Sequence, residues 1–201
     1  MTLYIIIVTV IVSLICFQNQ QISSKLIHNP YIVKHQNQWY RLVTSGFLHA
    51  NFLHLFINMF VLYSFGNAVE YYYQTIFPVG GKYLYIVLYF TAIYASNLFT
   101  QYKQQNNSAY NSLGASGAVS AVVFASILFA PYNKIYLYGI IGIPGIILGI
   151  IYLGYSYYAS KKQNDNINHE AHLYGAIYGM LFTIVLKPKV ALIFYQQLIN
   201  F

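Results

Sequence analysis

The amino-acid sequence predicts an all-α, polytopic membrane protein, a single six-helix bundle over residues 1–201. Composition is the first reason: 58% of residues are hydrophobic and 6% charged, whereas a soluble domain carries about 25% charged residues. The second is that the apolar residues fall in runs of helical length separated by polar or Pro/Gly-marked breaks. The third is a small set of strongly polar side chains inside those runs, which are costly at membrane depth and mark function there.

The runs predict helices over approximately 3–17, 52–69, 83–100, 115–130, 135–158 and 169–186. Residues 3–17 contain Ile5-Ile6-Ile7 with no Lys or Arg before them. A cleavable leader needs a basic start and a small-residue cleavage site, so a first transmembrane helix is expected. It is short against the roughly 20 residues a span needs. A long mixed-polarity connection, Ile22 to Leu48, follows and contains Pro30, Trp39 and Arg41; loops of this length are usually functional. Pro78-Val79-Gly80-Gly81 marks the turn after the second helix, and Pro131 stops the fourth. Gly142-Ile143-Pro144-Gly145 is read as a kink within the fifth. The polar loop Lys161 to Asn168 precedes the sixth, and the apolar tail from Val190 is expected to lie along the interface.

The formal net charge is +7, but the ten Lys and Arg are scattered apart from Lys161-Lys162. Contact with anionic lipid headgroups accounts for that pattern better than nucleic acid does. Cys16 stands alone in the first run, so no internal disulfide is possible and a small buried hydrophobe is expected. No metal or cofactor is implied, and no oligomeric state is specified. By loop charge, Lys25, Lys34, Arg41, Lys103, Lys161 and Lys162 fall on one side and Lys82, Lys134, Lys187 and Lys189 on the other. The positive-inside rule therefore leans toward termini outside.

Three helices carry polar groups. His54 and Asn58 are one turn apart on one face of the second. Ser116 opens the fourth within Gly114-Ala115-Ser116-Gly117. His172 opens the sixth, with Gly175 and Gly179 following on its face as a close-approach motif. Together these residue types can perform acyl transfer: a serine needs an adjacent imidazole base, and the oxyanion needs preorganised N–H donors. With no aspartate in the helices, the arrangement is a serine–histidine dyad. Interhelical hydrogen bonding explains each residue singly as well. His169, one turn before His172, competes as base, His49 is ambiguous, and His28 and His35 read as ordinary loop residues. Glu70 and Glu170 are expected at helix ends.

Gly114-Ala115-Ser116-Gly117, His54-xxx-Asn58 preceded by His49, and Ala171-His172-xx-Gly175-xxx-Gly179 occur in this order, and together they resemble the rhomboid intramembrane serine proteases. Trp39-Tyr40-Arg41 and Gly66-Asn67-Ala68-Val69-Glu70 extend the resemblance, which covers about Trp39 to Gly179. It implies a six-helix fold with a water-filled cavity below the membrane surface. By that resemblance Ser116 is nucleophile, and His172 rather than His169 is base. The Ser116 backbone N–H, His54 and Asn58 hold the oxyanion. His49, Gly114, Gly117, Gly175, Gly179, Trp39 and Arg41 are supports. The partners implied are transmembrane protein substrates and the lipid bilayer, and the location a bacterial inner membrane. Bacterial members keep their termini in the cytoplasm, opposite to the lysine count.

One departure stands out. Where relatives have an aromatic ring packed on the histidine, one turn after the nucleophile, this chain has Ser120. Two other functions fit polar groups at membrane depth: a non-catalytic binder of membrane helices and a small transporter. Neither explains why a serine, a base and oxyanion donors occur together.

Overall fold

A computed structural model describes residues 1–137, 140–162 and 167–200. The protein is predominantly helical, and each apolar run except the fifth forms one helix at its expected place. These are α1 (Thr2–Gln18), α5 (Phe52–Ile76), α6 (Gly81–Gln104), α7 (Ser116–Phe129) and α9 (His169–Leu186). By length and apolarity α5 and α6 are each able to cross a membrane, while α1 and α7 are shorter apolar helices. Helix α9 is followed by α10 (Lys189–Ile199), with a 114° bend between them. Pro188 sets that break, since a proline cannot continue the hydrogen-bond ladder of the preceding helix.

The fifth run departs from expectation. Residues 135–158 do not form one kinked helix: Lys134–Leu137 (β1) and Ile141–Pro144 (β2) pair as an antiparallel hairpin, Ile135 opposite Ile143, and α8 starts only at Gly145 and runs to Lys162. β-Branched residues favour the extended pleat. Pro144 disfavours helix in the residue before it and suits the first turn of the helix after it. Helix α5 also continues two turns beyond its expected end, which places Glu70 within the helix. Its carboxylate there accepts from the Thr2 backbone N–H and hydroxyl, each at 2.9 Å.

The long first connection is mostly helical: α2 (Gln20–Leu26), α3 (Pro30–Gln36) and α4 (Arg41–Thr44), then one 3₁₀ turn, Ser45–Phe47. Asn19 and Asn29 cap α2 and α3 by accepting from Ile22 and Ile32 N–H, and Pro30 occupies the first turn of α3, where its missing N–H costs nothing. Arg41 is buried and donates to the Ser24 and Ile27 carbonyls at 2.7 and 2.8 Å, closing the end of α2. This unit is bonded to the strand of chain that leads into α7. His28 and Ser112 exchange both backbone bonds, at 3.1 and 2.9 Å, and Gly114 N–H donates to Ser45 O at 3.0 Å. His28 is buried with Nε2 bonded to Gln101. Burial holds its imidazole below the usual histidine range, with the Gln101 bond opposing and Arg41 adding to that shift.

The core lies where α7 is enclosed by α5, α6 and α9, with Leu62, Val69, Tyr85, Leu88, Ala92, Ala121 and Val122 fully buried. Cys16 is buried as a small apolar side chain. The closest approach is between α7 and α9. A Cβ placed on Gly175 would fall on the Gly117 carbonyl, and one on Gly179 on the Ala121 carbonyl. Both contacts advance four residues along each helix, so α7 and α9 run parallel, backbone against backbone, and their first turns lie side by side. Gly154 on α8, by contrast, faces open space. Gly179→Ala is therefore expected to destabilise by about 1–3 kcal/mol through overpacking. Gly154→Ala should be neutral or stabilising by up to about 1 kcal/mol from helix propensity. Melting temperatures of both variants in one detergent check the contrast.

Candidate active site

Ser116 is the first residue of α7 and His172 lies in the first turn of α9. The parallel packing brings them together: His172 Nε2 and Ser116 Oγ are 2.7 Å apart. Both side chains are half-buried, as is His54. His169, the competing base, is buried instead, its ring edge-on to those of His172 and Tyr155 at 5.8 and 5.5 Å between centroids.

Asn168 fixes the start of α9. Its Oδ1 accepts from Ala171 N–H at 3.0 Å, and its Nδ2 donates to Thr100 Oγ1 and Ser112 Oγ at 3.0 and 3.1 Å. One side chain thus caps the helix that carries His172 and ties it to α6 and to the segment leading into Ser116. Lys103 and Glu170 add an ion pair at 2.6 Å between α6 and α9. Residues 163–166, in the polar loop before α9, lie outside the described residues.

Gly114 has φ +123°, and a Cβ there would sit 3.0 Å from His54 Cε1, 3.2 Å from His54 Nε2 and 3.7 Å from Ser116 Oγ. The absent side chain leaves a gap between the serine hydroxyl and the imidazole of His54. Ala50 N–H donates to His54 Nδ1 at 3.4 Å, so in the neutral ring the hydrogen is on Nε2, the atom that borders the gap. Asn58 is buried one turn below, with Nδ2 donating to His54 O at 2.9 Å. Its amide has two N–H bonds, so one stays available beyond that contact. The first N–H groups of a helix lack acceptors within it. In α7, Val119 N–H bonds back to Ala115 O at 2.9 Å, and the N–H groups before it lie at the positive end of the helix dipole.

His49 braces this side of the site. Ser13 donates to Phe47 O at 2.6 Å, so the 2.9 Å contact between Ser13 Oγ and His49 Nδ1 is a bond donated by His49. The His49 ring then meets His54 edge-on at 5.0 Å between centroids. Burial, with the adjacent His54, pushes the His49 imidazole down to about 3, which keeps it neutral, and the bond to Ser13 places its hydrogen on Nδ1. Gly117 packs on Ser96 of α6, and Gly175 and Gly179 on α7. Arg41 is bonded within the first connection, to Gln38 and to the Ser24 and Ile27 carbonyls. Trp39 is 46% exposed on the turn before α4.

Two residues were not singled out by sequence, Asn168 and Tyr152. Tyr152, on α8, stacks its ring on His172 with 6.2 Å between centroids and 18° between planes. Its hydroxyl is 2.6 Å from Ser120 Oγ. The small residue at position 120 was the signal for the second, since it leaves room for a ring from another helix.

Fold and site define an integral membrane protein with a serine–histidine pair at the N-terminal ends of two parallel helices. A profile of the rhomboid domain matches residues 36–189, and the chain belongs to the rhomboid family. It is 32% identical over 167 residues to rhomboid protease GluP of Bacillus subtilis (strain 168), covering 82% of this chain and 29% of that one. It is 33% identical over 176 residues to rhomboid-like protein 11, chloroplastic, of Arabidopsis thaliana, covering 80% and 57%. RHOMBOID-like protein 12, mitochondrial, of the same plant is 31% identical over 143 residues, covering 67% and 43%. The matched region is thus between under a third and just over half of each of these relatives.

Gly114→Ala places a methyl group in the gap beside His54 and strains a backbone that favours glycine. The strain should cost about 1–3 kcal/mol, read as a lower melting temperature.

Proposed function

We propose that this protein is an intramembrane serine endopeptidase that hydrolyses peptide bonds in or near transmembrane segments of other membrane proteins. The observation that carries this reading is the 2.7 Å contact between Ser116 Oγ and His172 Nε2, within hydrogen-bond reach of a nucleophile and its base. The six helices α1, α5, α6, α7, α8 and α9 form the membrane bundle, with termini on the cytoplasmic side of a bacterial inner membrane.

In the resting pair the Ser116 hydroxyl donates to Nε2, which requires the imidazole hydrogen on Nδ1. Ser116 Oγ attacks the scissile carbonyl carbon, and its proton passes to Nε2. Negative charge develops on the carbonyl oxygen. The Ser116 backbone N–H, His54 Nε2–H and an Asn58 Nδ2–H are the donors for it, in the gap that Gly114 leaves open. His172 then gives the proton to the leaving amine as the C–N bond breaks, leaving an ester on Ser116. Water, deprotonated by His172, attacks the ester, and collapse returns the serine and releases the carboxylate. A carbonyl within an intact helix is engaged in its own hydrogen bond, so the substrate segment must unwind locally. Segments rich in small or helix-breaking residues meet that requirement best.

Ser116→Ala and His172→Ala are each expected to abolish cleavage of a model transmembrane substrate in detergent or liposomes. Asn58→Ala should lose about 10²–10³-fold and stay measurable, since it removes one donor of several. If the serine or histidine variant keeps most of its activity, the dyad assignment is wrong.

A further inference from the structure

Helix α8 meets the rest of the molecule along a narrow seam. Its buried residues are Gly145, Gly149 and Ser156, and Gly149 lies against Ile127 and Phe124 of α7. Tyr152 falls on the same face between Gly149 and Ser156. It is the one large side chain in that row, and it reaches His172. We propose that Tyr152 is a positioning residue of His172, held in place by Ser120, so that α8 supplies an element the dyad needs. The proposal rests on the reading of Ser116 and His172 as nucleophile and base.

The contacts form a closed circuit. Ser116 touches His172, His172 stacks on Tyr152, and Tyr152 is bonded to Ser120, one turn from Ser116 on the same helix. The His169 ring meets the His172 imidazole edge-on at 5.8 Å, while the Tyr152 ring lies parallel to it and covers its face. During turnover Ser116 Oγ becomes part of an ester and no longer donates to Nε2, so that restraint disappears when water must be aligned for attack. The Tyr152 stack survives this step because it involves no reacting atom. The geometry is that of offset-stacked rings, and an aromatic face also suits the positive charge the imidazole carries between its two proton transfers. The ring also packs with Phe124, 5.9 Å between centroids. A filler role there would be satisfied by any apolar side chain of similar size, which gives the test its contrast.

The test measures kcat and KM for cleavage of a model transmembrane substrate in detergent, with melting temperature as the check on folding. Tyr152→Leu keeps apolar volume and removes the ring. It should lower kcat about 10- to 100-fold, the cost of a misplaced catalytic group, while KM stays within about twofold. Tyr152→Phe keeps the ring and loses the anchor, as Ser120→Ala does from the other side. Each should cost about fivefold in kcat, one ordinary hydrogen bond, and the double variant should cost no more than either alone. A Tyr152→Leu enzyme with wild-type kcat, or one whose loss lies wholly in KM, overturns the proposal. So does additivity in the double variant. If Ser116→Ala is as active as wild type, the dyad reading itself fails. If Ser116→Ala is inactive and Tyr152→Leu is unimpaired, only the role given to Tyr152 fails.

Discussion

The rest of the structure depends on the backbone contact between α7 and α9. Gly175 on Gly117 and Gly179 on Ala121 leave no room for a side chain at either glycine, and the parallel direction sets the two first turns at one level. That register puts His172 beside Ser116 and turns two helix N-termini toward the same point. Close approach of small residues gains dispersion and lets backbones touch. Here it also sets the distance between Ser116 and His172. A Cβ at either position would overlap the facing backbone, so a larger residue there forces the helices apart.

A second layer of contacts holds the segment before Ser116. The first connection, which joins α1 to α5, delivers Ser45 O to Gly114 and a backbone bridge from His28 to Ser112. Asn168 reaches the same segment from α9. The left-handed Gly114 is therefore constrained from both sides, and the gap it leaves beside His54 is set by hydrogen bonds rather than by chance of packing. His28, which reads as an ordinary loop residue in the sequence, is buried on the Gln101 side chain, and Arg41, read as a support, is buried on backbone carbonyls that the turns leave open.

Much of this was legible in the sequence because glycine, serine, histidine and asparagine have few reasons to occur inside apolar runs, and their spacing places them on faces. His54-xxx-Asn58 and His172-xx-Gly175-xxx-Gly179 are read directly from helical periodicity. The hairpin at Lys134–Leu137 and Ile141–Pro144 was not legible, because a short apolar run rich in isoleucine satisfies both a strand and a buried helix. The length of α5 was obscured by Glu70, which marks a helix end only when no partner reaches it. Tyr152 could not be picked from 23 tyrosines; periodicity places a residue on its own helix and says nothing about which neighbouring helix it meets. Ser120 carried half of that information as the absence of a ring, and only the packing of α8 supplied the other half.

In the proposed mechanism His172 activates Ser116. Treatment of the intact protein with a fluorophosphonate, followed by peptide mapping, tests it most directly because it needs no knowledge of the natural substrate. One adduct is expected, on Ser116, and it should fail to form when His172 is replaced by alanine. An adduct on another serine, or equal labelling of Ser116 with and without His172, would contradict this mechanism.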